Sequence, residues 1–193
     1  MLRRTKITLA CAAGLAAGAA TVLPVTTALA APAGSAGPAA ATAAACATPW
    51  GTKAKVAAHA ETSHTARVLG GRAGQHACFE RLVVDLGRGT APGYRVQYVR
   101  AFHAQGSGKL IKLRGHAILQ ISLHAKAGAA FPSAGHAVTS VAGFRELRQV
   151  LSGGSFEGYT AIGVGVQAKK PFRVELLKGP GRRSRLVIDV AIR

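Results

Sequence analysis

An all-β fold is predicted for this chain: a sandwich or partly open barrel of about seven to eight short, mostly antiparallel strands. Three observations predict it. Apolar and polar residues alternate with a period of two, most clearly in residues 76–99 and 156–192. Gly and Pro clusters separate those runs. No spacer carries an amphipathic helix long enough for a parallel βαβ unit.

The chain opens with a targeting segment. Arg3, Arg4 and Lys6 form a basic start, residues 7–25 a small-residue apolar stretch, and Ala28-Leu29-Ala30 an A-x-A cleavage site. Pro24 and the Gly and Ala content weigh against an uncleaved membrane anchor. Cys11 lies too close to the basic start for a lipoprotein signal. Residues 31–48 are almost only Ala, Pro, Gly, Ser and Thr. Such a tract has too little apolar bulk to offset the cost of ordering its backbone. The expected organisation is a signal peptide over 1–30, a flexible linker over 31–48 and one folded domain over 49–193, long enough to bury a core.

Within that domain, Leu82, Val84 and Leu86 alternate with Val83 and Asp85, a strand with one buried face. Gly87-Arg88-Gly89-Thr90 and Pro92-Gly93 are turn chemistry. Tyr94, Val96 and Tyr98 form the next stripe. A turn at Gly106-Ser107-Gly108 precedes an expected short strand at 110–113. Ala117, Leu119, Ile121 and Leu123 point one way, and Gln120, Ser122 and His124 the other. Residues 126–140 read as a long loop. Residues 144–151 suit either one helical turn or the start of a strand. Ile162, Val164 and Val166 share one face of a strong strand, while Ala161, Gly163 and Gly165 share the other. Two glycines on one face imply that another layer comes close there. Phe172, Val174 and Leu176, then Leu186, Ile188, Val190 and Ile192, complete the pattern around a Gly179-Pro180-Gly181 turn.

Cys11 leaves with the signal, so Cys46 and Cys78 remain. An exported chain with an even cysteine count favours a disulfide between them. A metal site drawing on Cys46, Cys78, His59, His64 and His76 is the competing reading, and no short ligand spacing supports it. No metal and no cofactor is expected.

The chain has 25 basic and 7 acidic residues. Without Arg3, Arg4 and Lys6 the balance is 22 against 7, a net +15. A field of this sign attracts polyanions. Outside a cell these are wall phosphate polymers, acidic lipids and peptidoglycan carboxylates. Lys169, Lys170, Arg173, Lys178, Arg182, Arg183 and Arg185 cluster in sequence near the last hairpin and are the binding candidates. The competing role for them is a solvated strand edge that blocks aggregation.

Reaction chemistry is not visible. There is no G-x-S-x-G elbow. Gly106-Ser107-Gly108-Lys109 fails as a phosphate loop, because a Walker motif needs Gly at 103 and Ser or Thr at 110, where His103 and Leu110 stand. Glu157 has the chemistry of a general acid, against a structural role in which its carboxylate bonds backbone or an arginine. His116 and His124 alternate with apolar residues and are expected on a solvated face.

CFERLVVDL and PGYRVQYV within residues 76–99, Gly106-Ser107-Gly108, Gly115-His116-Ala117, Phe156-Glu157-Gly158, the FRVELL strand and the terminal RLVIDV resemble the AMIN-like domain of secreted actinobacterial proteins. Trp50-Gly51 fits as well. The resemblance runs from Trp50 to Arg193. It implies a β-sandwich related to the AMIN domains that accompany cell-wall amidases and pilus secretins and place them on peptidoglycan. It supplies no catalytic residues; it implies structural roles for Asp85, Asp189, Gly93 and Gly158, with Phe156 in the core.

The function expected is that of a secreted, non-catalytic cell-envelope binding domain, extracellular or wall-associated. Its partners would be an anionic wall polymer or peptidoglycan, or another envelope protein, with no transmembrane anchor after cleavage. A secreted hydrolase-type or inhibitor-like module acting on wall components is the alternative. Nucleic acid is disfavoured by export and by the low aromatic content needed for base stacking.

Overall fold

The computed structural model describes Cys46 and residues 49–58, 66–179 and 181–193. The stretch expected as a signal peptide, and all of the expected linker but Cys46, lie outside the described residues, as do His59 and His64.

Among the described residues, ten strands form two antiparallel sheets. They are β1 (Lys55–Ala57), β2 (Val68–Gln75), β3 (Phe79–Arg88), β4 (Tyr94–Val99), β5 (Ala117–Leu123), β6 (Ala137–Thr139), β7 (Leu147–Phe156), β8 (Tyr159–Val166), β9 (Phe172–Lys178) and β10 (Arg183–Ala191). The larger sheet has the order β1-β4-β5-β8-β7-β6, and the smaller β2-β3-β10-β9. The fold is a sandwich, as the alternation predicts.

Period-two burial sorts the side chains. From the smaller sheet, Leu82, Val84, Leu86, Leu186, Ile188 and Val190 turn inward, each no more than 1% exposed. They meet Val96, Leu119, Ile121, Leu123, Ile162, Val164 and Val166 of the larger sheet in one core. Burying side chains of this size contributes about 1.5–3 kcal/mol apiece.

Where the structure departs from the sequence reading, tertiary contacts decide. The strand expected at 110–113 is absent; only an isolated bridge joins His103 to Leu110. This segment instead folds across the outer face of the larger sheet, with Phe102 wholly buried. A Cβ on Gly163 would stand 2.5 Å from the Phe102 ring, and one on Gly165 would overlap the Arg114 carbonyl oxygen. The glycine face of β8 thus marks the covering layer that the alternation implied. β6 lies inside the stretch expected as a loop, and Val138 packs where a Cβ on Gly71 of β2 would reach 2.8 Å. The ambiguous 144–151 segment enters β7 at Leu147 without a helical turn. The reason is Glu80, 2% exposed. Its carboxylate accepts the successive amides of Arg145, Glu146 and Leu147, which satisfies these donors and ties the segment to β3.

Phe156 is not core: it is 51% exposed at the tip of the β7–β8 hairpin. It pairs with Tyr159 across a two-residue turn whose central residues, Glu157 and Gly158, have φ of 47° and 85°. Positive φ at both positions belongs to the turn that matches strand twist. Gly158 serves it as a turn residue, as expected. A disulfide joins Cys46 to Cys78, fastening the segment before β1 to the start of β3.

Candidate anion-binding site

β3 and β10 are the central strands of the smaller sheet, paired from Phe79 and Ala191 to Arg88 and Arg183. Their outer face carries the charge. At one end the chain enters the fold beside β3: the Ala66 amide donates to the Thr90 carbonyl at 2.8 Å, and the Gly87 amide to the Arg67 carbonyl at 2.8 Å. The pairing of β3 with β10 shifts register between Arg183 and Ser184. Such a bulge re-aims side chains at a sheet end. As a result Arg67, Arg88, Arg182 and Arg183 line one open concavity with Leu69, Gly87 and Gly89. Among the described residues, its lining has no acidic side chain. Among the described residues, Arg88, Arg182 and Arg183 have no ion-pair or side-chain hydrogen-bond partner, while Arg67 donates to the Ala127 carbonyl at 3.3 Å. A second concavity adjoins it, lined by Arg183, Arg185, Arg72 and Asp85 among others. Here Arg72 grips Asp85 with two bonds of 3.1 Å. At 59% and 40% side-chain exposure, that pair is worth at most about 1 kcal/mol.

The other end of the face is closed by internal bonds. Asp189 is wholly buried. Its carboxylate accepts Arg81 Nε at 2.7 Å, Arg81 Nη2 at 2.9 Å and Arg173 Nε at 2.8 Å. Arg173 also reaches Glu175 at 3.3 Å. The hydrogen bond to Asp189 raises the Arg81 pKa against the opposing effect of burial. Aromatic rings seal the cluster: Arg173 lies 4.7 Å from the Trp50 ring centroid, Arg81 5.1 Å from that of Phe79, and His76 stacks on Phe79 at 4.4 Å.

The seven binding candidates therefore divide. Arg182 and Arg183 reach the first concavity, and Arg185 the second. Lys178 is exposed beside them, paired in register with Ser184. Arg173 is held by Asp189. Lys170 pairs with the buried Glu146 at 3.8 Å, and its amide and carbonyl both bond the Tyr98 hydroxyl. Burial raises the Glu146 pKa, with Lys170 acting against it; burial also pushes the Tyr98 hydroxyl up to about 12. Lys169 lies over the Tyr98 ring in a separate hollow with Arg100 and His116. Sequence reasoning missed Arg67 and Arg88. Arg88 stands between two turn glycines and Arg67 just before β2, both far from 182 in the chain, so nothing in the sequence joined them to the last hairpin.

The residues weighed for catalysis are not assembled. His116 precedes β5, and its Nδ1 contacts the Gln167 carbonyl at 3.1 Å, so Nδ1 carries the proton. Glu157 is exposed on the hairpin whose Thr160 pairs with Leu123, at the far end of β5. His116 and Leu123 are seven strand steps apart, about 24 Å. His124 is half-buried and stacked on Tyr159 at 4.6 Å, not on a solvated face as expected. Among the described residues, no three His, Cys, Asp or Glu side chains converge as a metal site. No helix among them is long and apolar enough to cross a membrane.

Comparison with known families gives one match, a model for the AMIN-like domain over residues 66–192. The chain belongs to the AMIN-like domain family. The AMIN-like match begins at Ala66, at the entrance to β2, so it takes in both sheets apart from β1. Cys46 and Trp50-Gly51 lie before it. No curated protein and no solved structure matches the chain.

Proposed function

We propose that this AMIN-like domain is a non-catalytic module of the cell envelope, exported by its signal peptide, which binds anionic wall polymer through the arginine end of its smaller sheet. A cell-wall-related binding role is what AMIN-like membership supports. The observation that carries the finer reading is the concavity where Arg67, Arg88, Arg182 and Arg183 meet, with no acidic side chain among its described lining residues. Guanidinium groups already satisfied internally, such as those of Arg81 and Arg173, have little left to offer a ligand. The unpaired ones keep their donors for an anion, in the fork geometry that suits phosphate or carboxylate.

The test is co-sedimentation of the purified protein with isolated sacculi across a salt series. Binding at low ionic strength that weakens as salt rises, and that Arg182→Ala/Arg183→Ala lowers, is expected. Sacculi that leave the protein in the supernatant at low salt refute the reading.

A further inference from the structure

The concavities on the outer face of the smaller sheet are continuous. Leu69 and Arg183 line both the first and the second, and Arg72 and Arg185 line both the second and a third that extends to His76 and Arg81. They form a track along β3 and β10. From Arg88 to Arg81 the track follows seven steps of β3, about 24 Å at 3.4 Å per residue. Its open cations sit at one end. Arg72 is committed to Asp85 and Arg81 to Asp189, which leaves Arg67, Arg88, Arg182, Arg183 and Arg185 to meet a ligand.

Resting on the envelope-binding reading, we propose that this track holds an extended polyol-phosphate chain, a linear phosphodiester polymer that carries no bases. Three features of the track select that chemistry. First, the four arginines of the first concavity come from three separate chain segments: the approach to β2, the end of β3 and the start of β10. A phosphodiester accepts donors on tetrahedral oxygens outside any single plane, whereas a carboxylate offers its lone pairs in one plane. Second, Arg183 and Arg185 are two residues apart and line the same concavity. Two strand residues advance about 6.8 Å. The six-bond repeat P–O–C–C–C–O–P has the reach of two extended peptide units, about 7 Å, so successive phosphates keep step with successive arginines. Third, no aromatic side chain among the described residues lines the first two concavities. Binders of single-stranded nucleic acid stack bases on aromatic rings; this surface offers a backbone track and no stacking platform. Asp85 stands opposite Arg185 in register and holds Arg72, so Arg185 is the last arginine of the track that a phosphate reaches.

For flexible phosphodiester chains, each neutralised phosphate contributes about −0.7 to the slope of log affinity against log salt. Five engaged arginines predict a slope of about −3.5, or an affinity about a hundredfold lower at 200 mM than at 50 mM salt. Removing one contact lowers affinity about eightfold at 50 mM and shallows the slope by about 0.7.

The experiment is titration calorimetry of the full purified protein with glycerol-phosphate oligomers of defined length, from one to eight phosphates. Arms with oligo-dT of equal phosphate number, poly-L-glutamate and phosphatidylglycerol vesicles run alongside. The expected result is affinity that climbs over the first three or four phosphates and then levels. Arg183→Ala and Arg185→Ala should each give the eightfold loss, with Arg183→Lys losing less. The exposed Lys112→Ala, on the covering segment of the other sheet, should leave affinity unchanged. Equal binding of oligo-dT, polyglutamate or vesicles with the same salt slope overturns the proposal, as does an unaltered affinity in Arg183→Ala. Sacculi stripped of phosphodiester polymer separate the two readings. If they retain the protein as well as intact sacculi do, envelope binding stands and this assignment fails. If intact sacculi do not bind, both fail.

Discussion

Replacing Asp189 with Ala tests the internal bonding that divides the basic face into satisfied and available arginines. The carboxylate is 1% exposed and accepts three guanidinium bonds of 2.7–2.9 Å. A hydrogen bond to a charged group contributes about 1.5–3 kcal/mol net, so three give an upper bound of about 4.5–9 kcal/mol. The released guanidiniums recover part of this, because Arg81 is 28% and Arg173 35% exposed and both can turn to water. Breaking a buried charge pair costs about 3–5 kcal/mol, and with that recovery the expected loss is about 3–4 kcal/mol. For a domain of this size that is a fall of about 10 °C in Tm. Urea denaturation followed by Trp50 fluorescence is the assay, since Trp50 is the chain's one tryptophan and Arg173 stacks on its ring. Arg81→Met in the Asp189→Ala background should cost at least 1 kcal/mol less than it does in the parent. A loss under 1 kcal/mol for Asp189→Ala, or strict additivity with Arg81→Met, would mean that Asp189 does not hold the two arginines.

Three more outcomes follow from the packing and the covalent link. Cys46→Ala/Cys78→Ala opens a link between residues 32 apart in sequence; chain entropy sets the loss at about 3–4 kcal/mol, measured by denaturation with and without reductant. Gly165→Ala drives a methyl group into the Arg114 carbonyl. It should destabilise by about 3 kcal/mol or prevent folding, whereas the same change at Gly70, where a Cβ meets nothing within 4 Å, should be far milder. Glu146 holds its proton more tightly in the folded state because burial raises its pKa. Between the ordinary glutamate value and the raised one, the folded chain binds more protons than the unfolded, so this group erodes stability as pH rises. Glu146→Gln removes that loss, and its stability relative to the parent should improve from pH 4 to pH 7 in parallel melts; a difference independent of pH would contradict the assignment.

What could be read from the chain alone was local. Period-two alternation at Leu82, Val84 and Leu86, or at Leu186, Ile188 and Val190, marks a half-buried strand wherever its neighbours lie, because a pleated backbone sends alternate side chains to opposite faces. The glycines of β8 announced a close layer for the same reason. The Cys46–Cys78 link was expected from the two thiols left once Cys11 is assigned to the expected export signal, and the structure has it. Family membership was legible because it rests on such patterned strands in order.

Partnership in space belonged to the tertiary structure. Nothing local distinguishes Arg173 from Arg183: both are cations near the same hairpin. One meets the buried Asp189, sixteen positions away, and the other an open concavity shared with Arg67 and Arg88. Glu80 likewise reveals its role only when the fold brings the Arg145, Glu146 and Leu147 amides, some 65 positions distant, to its carboxylate. Periodicity records which face a side chain takes, whereas the energy of a charge depends on which atoms the packed sheets place within a few ångströms of it.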